Sequence, residues 1–246
     1  LAILLSPVIF INAMYGQNGT FISALFIGAL VQLPKRPILA GVLIGMMTIK
    51  PQFGLLIPFV LISSGNWKAF ISASITTVVL ALATSVFFGF DVWAAFLENT
   101  QPMMRGFMEA PFYHPYQVNS VTPFTQFRAI GASVPLAYIA QAAVSITCIA
   151  ITFWLWRPGR DVTHMQRMAL TIVMTTLATP YGYTYDMVAV CAAIVFMFAG
   201  SKRLAALPVF AVLWLYPLYN HILAWKFGLN IGAVIVGTIL ILLFLT

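Results

Sequence analysis

Residues 69–90 read AFISASITTVVLALATSVFFGF, 22 positions without one charged side chain. An α-helix needs about 20 consecutive apolar residues to cross the hydrocarbon core of a bilayer, about 30 Å thick. Residues 134–156 form a second run of the same kind. Outward from these two, apolar runs cover 1–13, 18–33, 37–49, 51–64, 167–180, 184–199, 204–222 and 229–246. Runs of 13 or 14 residues are too short to cross untilted, and they read as half-helices or re-entrant segments that line a cavity. The predicted fold class is all-α: an integral membrane, polytopic helix bundle of about 8–10 membrane segments in one transmembrane domain over residues 1–246.

Composition agrees. Of the 246 residues, 62% are hydrophobic and 7% are charged, whereas soluble domains carry about 25% charged residues. The net charge of +7 comes from sparse loops and forms no basic patch, so nucleic acid is not an expected partner. Cys148 and Cys191 lie in apolar runs without a CxxC partner and read as small buried hydrophobes. Leu1 and Thr246 both lie inside apolar runs, and there is no initiator Met or signal sequence. The chain therefore reads as a fragment of a longer protein, with further spans expected before Leu1.

Strict alternation of the segments puts Lys35, Arg36, Lys68, Arg157, Arg160, Arg167, Lys202 and Arg203 on one side. The other side receives Lys50, Arg105, Arg128 and Lys226. The excess of cations assigns the first side to the cytoplasm. Asp91, Glu98, Glu109 and Asp186 then lie outside, and Asp161 lies inside. The longest polar stretch, 91–133, is expected outside with two short interfacial helices. One is capped by Asp91, carries Trp93, Phe96 and Leu97 on one face, and ends before Pro102. The other starts at Thr122-Pro123 and stops at Gly131. Between them, residues 108–119 are rich in aromatics and proline, which suits either a substrate-contacting lid or an interfacial aromatic belt.

Four polar motifs fall on the expected outer side. Tyr15-Gly16-Gln17-Asn18-Gly19 offers amides that bind sugar hydroxyls, or a turn in which Asn18 caps the next helix. Lys50-Pro51-Gln52 puts an ammonium between two apolar runs, where Pro51 breaks the helix. No acidic residue lies within 40 positions of Lys50, so a phosphate is a natural partner, with snorkelling to lipid headgroups as the alternative. The stretch from Thr179 to Asp186 combines Tyr181, Tyr183, Tyr185 and a carboxylate. That suits a carbohydrate site, or an aromatic belt with Asp186 as a helix cap. The fourth motif is the 91–133 segment itself, with His114 and Arg128. There is no HExxH, no Cys/His cluster, no P-loop and no GxGxxG, so metal and nucleotide chemistry has no support.

The order of these motifs carries a resemblance. Gly16 to Gly19 is followed by the run from Pro37 to Gly45, then Lys50-Pro51-Gln52 and Trp67-Lys68-Ala69. Ser120 through Arg128 with Gly131 comes next, then Ala178 to Tyr181 with Tyr185-Asp186. From about residue 5 to 200 the set resembles glycosyltransferase family 87, the polyprenyl-phosphate-sugar-dependent, mannosyltransferase-like proteins of bacteria. The resemblance implies a GT-C bundle in the inner (plasma) membrane, an extracytoplasmic active face, and neither metal nor cofactor. The expected partners are a polyprenyl-phosphate-linked sugar, a glycolipid or glycan acceptor, and membrane lipid. Transfer would be inverting, with one general base on the acceptor hydroxyl. The resemblance puts that base on a first outer loop, expected before Leu1; within the chain Asp186 is the catalytic candidate. Gln17, Asn18, Lys50, Gln52, His114, Arg128, Tyr181 and Tyr185 are the expected substrate-binding residues. Two rivals remain at this level. A transporter or flippase of a lipid-linked sugar would spread polar residues through the membrane midplane in symmetric halves. A non-catalytic membrane scaffold would need none of these motifs.

Overall fold

Caps and prolines set the helix ends. In the computed structural model, which describes residues 1–201 and 207–245, α1 spans Pro7–Met14, with Ser6 Oγ accepting the Val8 N–H. α2 (Gly19–Gln32) and α3 (Pro37–Met46) follow. Two 3-10 turns, Met47–Ile49 and Pro51–Gly54, flank Lys50, whose non-helical backbone separates them. Pro51 causes this break, because the residue before a proline is driven out of the α region. α4 (Ile57–Ser63) returns to the other end of the bundle, and α5 (Trp67–Phe88) crosses again.

The 91–133 segment departs from one expectation. α6 (Asp91–Ala95) does not end before Pro102, and Asp91 is its first residue, not its cap. The helix widens into a π-helical stretch, Phe96–Thr100, and continues as α7 (Gln101–Glu109) with Pro102 in its first turn. A proline inside an α-helix clashes with the carbonyl four residues back. A wider turn gives that carbonyl room, so helical structure continues where it was expected to stop. α8 (Pro115–Val118) and α9 (Pro123–Ala129) complete the segment. α9 starts as expected, with Thr122 accepting the Thr125 N–H, and Gly131 lies beyond it at φ +88°.

α10 (Val134–Leu155) runs antiparallel to α11 (His164–Ala178), which opens on a full capping box between Thr163 and Gln166. α12 (Val188–Ser201), α13 (Leu207–Phe227) and α14 (Gly232–Leu245) follow. Lys202 and Arg203, two of the cations used for orientation, lie outside the described residues.

Among the described residues, α5, α10 and α13 are long and apolar enough to cross a membrane, and five further apolar helical stretches have 10–17 residues. The chain is thus a polytopic helical membrane protein. α5 leaves most of its apolar surface outside the bundle, as a lipid-facing helix does, whereas α11 is buried on every side from Met168 to Ala178. Amides inside the bundle bond to backbone. Gln141 on α10 donates to the carbonyls of Leu177 (2.9 Å) and Ala178 (3.2 Å) and accepts the Phe124 N–H (3.1 Å). One side chain thereby joins α9, α10 and the end of α11, next to the stretch from Thr179 to Asp186.

Candidate active site

The turn from α11 to α12 is held from three directions. Residues 119–121 and 182–184 pair antiparallel, with Val121 N–H donating to Gly182 O (3.0 Å) and Thr184 N–H to Asn119 O (2.8 Å). Asn230 and Asn220 fasten the first of these segments and the residue before it, donating to Ser120 O (2.9 Å) and Val118 O (2.8 Å). From α1, Asn12 donates to Tyr185 O (2.8 Å). Thr184–Asp186 then forms a single 3-10 turn that points Asp186 into the bundle.

There Asp186 meets Lys50. The ammonium donates to Asp186 Oδ1 at 2.7 Å and to Gln17 Oε1 at 3.3 Å, and lies 5.4 Å from the centre of the Tyr185 ring. Three motifs separated in sequence therefore converge on one cation. The side chains of Lys50 and Asp186 are 14% and 3% exposed, so this ion pair has little water around it. Lys50 turns to a carboxylate, and Asp186 lies in the 3-10 turn before α12 with its Oδ1 on Lys50. The absence of an acid near Lys50 in sequence misled, because its partner lies 136 positions away.

Asp186 Oδ2 is buried without a protein partner. Burial raises this carboxyl above its usual range, and the charge and hydrogen bond of Lys50 act in the opposite direction. Tyr185 stacks on Tyr183 with ring centres 5.2 Å apart, Tyr15 lies 5.7 Å from Tyr185, and Tyr116 closes on Tyr183 at 6.3 Å. Burial, then the Asp186 charge, raises the Tyr185 phenol, so its hydroxyl stays an O–H donor. On the far side, Tyr15 Oη and His221 Nε2 are 2.6 Å apart. A water-sized hollow of about 10 Å³ lies inward of the pair, lined by Gly19, Ser23, Phe53, Thr176 and Asp186 among others.

The other expected residues lie elsewhere or do other work. Asn18 precedes α2, but its side chain makes no cap bond. Gln52 is half-buried in the turn after Lys50. His114 accepts the Tyr116 N–H through Nδ1 (3.4 Å) and its ring stacks on Phe107. Arg128 donates to the carbonyls of Ala132, Glu109 and Ala110 at 2.7, 3.4 and 3.3 Å. Tyr181 packs on Met108, Phe124 and Ala137. Nearby, Glu109 accepts from Arg105 and from Tyr138, both at 2.7 Å. The Arg105 hydrogen bond first, then that of Tyr138, holds the Glu109 carboxyl below its usual range. These form a second polar cluster at the same end of the bundle. Sequence reasoning missed Asn12 and His221. The available signal was a hydrogen-bonding side chain inside an apolar run, which needs a partner in the fold.

The first cluster can do specific chemistry. An ammonium backed by a carboxylate suits an anion that arrives with hydroxyl groups, and amides and tyrosine rings suit a sugar. No curated protein and no solved structure matches the chain. Comparison with protein families matches residues 1–180 to glycosyltransferase family 87, and the chain belongs to that family.

Proposed function

We propose that the chain builds the donor site of an enzyme that transfers a sugar, mannose in this reading, from polyprenyl phosphate to a glycan or glycolipid on the extracytoplasmic side of the plasma membrane.

 The reading rests on family membership, on the charge count that puts Lys50 outside, and above all on the Lys50 ammonium held between Asp186, Gln17 and Tyr185. An ammonium has three N–H donors. Two are engaged within the protein, and the third takes an oxygen of the donor phosphate. When the acceptor hydroxyl attacks the anomeric carbon, the bond from that carbon to the phosphate oxygen breaks. Its electron pair stays on the phosphate, which gains charge. Lys50 then binds the transition state more tightly than the ground state, which is how a fixed cation accelerates a step. Attack from the face opposite the phosphate inverts the anomeric centre.

Gln17, with Asn18 and Gln52 at the rim, binds sugar hydroxyls in this reading, and Tyr15, Tyr183 and Tyr185 cover a sugar face. Asp186 Oδ2 accepts a hydroxyl from the sugar or the acceptor, and is the carboxylate of this cluster able to take the acceptor's proton. His114, Arg128 and Tyr181 shape the segment above.

The test is transfer from a polyprenyl-phosphate sugar by the full-length protein in proteoliposomes. Lys50→Gln and Asp186→Asn should each lower transfer at limiting donor at least tenfold, or about 1.4 kcal/mol. Lys50→Arg should recover part of the loss, because the charge survives while the shape changes. Each neutral variant also strands a buried charge, which is itself destabilising. The double variant Lys50→Gln/Asp186→Asn removes both charges, and should regain thermal stability without regaining transfer. Recovery of transfer together with stability would reduce the pair to a structural tie and end the donor-phosphate reading.

A further inference from the structure

At the other end of α10 an apolar groove of about 390 Å³ runs between α4 and α10. Its walls are Phe59, Ile149, Ala150, Phe153 and Trp154, and Arg157 closes it. The α10 residues recur at 149, 150, 153 and 154, so they form one stripe over the last two turns of the helix, and Arg157 lies just past its end. Ala150 and Trp154 are exposed, so the groove opens on the outer surface of the bundle. Its volume lies within the range of about 300–1,000 Å³ found for small-molecule sites.

Two guanidinium groups lie on its aromatic walls. Arg157 is 4.9 Å from the centre of the Phe153 ring, and Arg160 is 4.8 Å from that of Trp154. Stacking fixes the planes of both groups and leaves their N–H edges open. Neither forms an ion pair among the described residues, where the two ion pairs are Lys50–Asp186 and Arg105–Glu109. Arg167, which donates to Val162 O and Arg160 O, adds a third positive charge to this loop against the one acid, Asp161.

We propose that this groove is a binding site for an anionic phospholipid of the leaflet at the Arg157 end, the cytoplasmic leaflet on the charge count. One acyl chain lies along the apolar stripe of α10, and the phosphate takes the open edges of Arg157 and Arg160. Basic pockets between membrane helices on the cytoplasmic side recognise anionic headgroups in this way. No carboxylate lines the groove to receive the ammonium of a zwitterionic headgroup, so charge selects the anionic lipid. The site is separate from the Lys50–Asp186 cluster, because Gln141 ties the opposite end of α10 to the end of α11, which leads into the turn that carries Asp186.

Trp154 reports on occupancy. The full-length protein is reconstituted in phosphatidylcholine vesicles that contain brominated phosphatidylglycerol or, at equal mole fraction, brominated phosphatidylcholine. The Trp154 share of the quenching is obtained by difference from Trp154→Phe. Phosphatidylglycerol should quench Trp154 at lower mole fraction than phosphatidylcholine does. Arg157→Gln/Arg160→Gln should weaken that preference about tenfold, on the scale of headgroup attraction per cation. Ala150→Phe fills the stripe with the cations intact, and should reduce quenching by both lipids. Equal quenching by the two lipids, or a preference unchanged in the double arginine variant, overturns the proposal. Unchanged quenching in Ala150→Phe overturns it too, because the charges alone would then hold the lipid. Protection of Trp154 from both lipids in a dimeric protein would assign the groove to a second copy of the chain, and the proposal would fall.

Discussion

A Cβ built on Gly19 would lie 2.4 Å from Asn12 Nδ2, 2.8 Å from Tyr185 O and 3.0 Å from Asp186 Oδ1. These atoms are the amide that holds the site turn, the carbonyl it holds, and the oxygen that meets Lys50. A methyl group there must push at least one of them away, and the carbonyl is backbone, which yields least. Gly19→Ala should therefore lower transfer about tenfold or more, equivalent to about 1.4 kcal/mol, with a loss of thermal stability. Gly16, three residues earlier, is the control. It sits at φ +60° with nothing within 4 Å of a built Cβ, so Gly16→Ala should cost roughly 1–2 kcal/mol of backbone strain and leave turnover per folded molecule unchanged. Transfer assayed beside thermal melting separates the two; equal effects on turnover would show that Gly19 does no more than shape a turn.

At the scale of elements, the site depends on how closely α3 approaches α5, because α3 leads directly into Lys50. Gly41 and Gly45 make that approach possible. A Cβ on Gly41 would meet Ala69 O at 2.4 Å and Ser72 Cβ at 2.6 Å, and one on Gly45 would meet Thr76 Cβ at 2.4 Å and Ala73 O at 2.9 Å. Small residues four apart let two membrane helices pack backbone to backbone, where dispersion and not the hydrophobic effect holds them together. Gly41→Val or Gly45→Val should separate the helices and lower the melting temperature by several degrees. The loss should exceed that from valine at Gly54 or Gly237, where a built Cβ meets nothing within 4 Å. Differential scanning fluorimetry in detergent compares the four variants; equal losses would mean that helix propensity, and not close packing, sets the cost.

Over the whole molecule, composition and run length located the long helices, though the run at 1–13 holds a helix only from Pro7 and the run at 204–222 a helix that continues to Phe227. The run at 134–156 is α10, Val134–Leu155, and the run at 37–49 is α3 with the turn that follows it. That the polar motifs gather at one end of the bundle was also legible, since short connections between apolar runs fix the ends that are neighbours. The pairing of Lys50 with Asp186 was not. Helices that are apolar all round, such as α2 and α12, carry no stripe to say which face turns inward. Which amides and carboxylates meet is then decided by tertiary packing, as with Asn12 on Tyr185 O. Arg128 shows the same limit from the other side, since a lone cation between polar residues looks free until its carbonyl partners are seen. The unequal helices have a mechanical consequence. α2 has 14 residues and α5 and α10 have 22 each, which is about 21 Å against about 33 Å of helix. Gly19 opens α2 beside Asp186, so the proposed donor site lies beside a short helix, and lipid that meets this helix would have to compress. That compression has an elastic cost which rises with the resting thickness of the host membrane. Transfer should therefore slow as the acyl chains of the vesicle lipid are lengthened at constant headgroup, and a rate indifferent to chain length would show that the bilayer does not dip at the site.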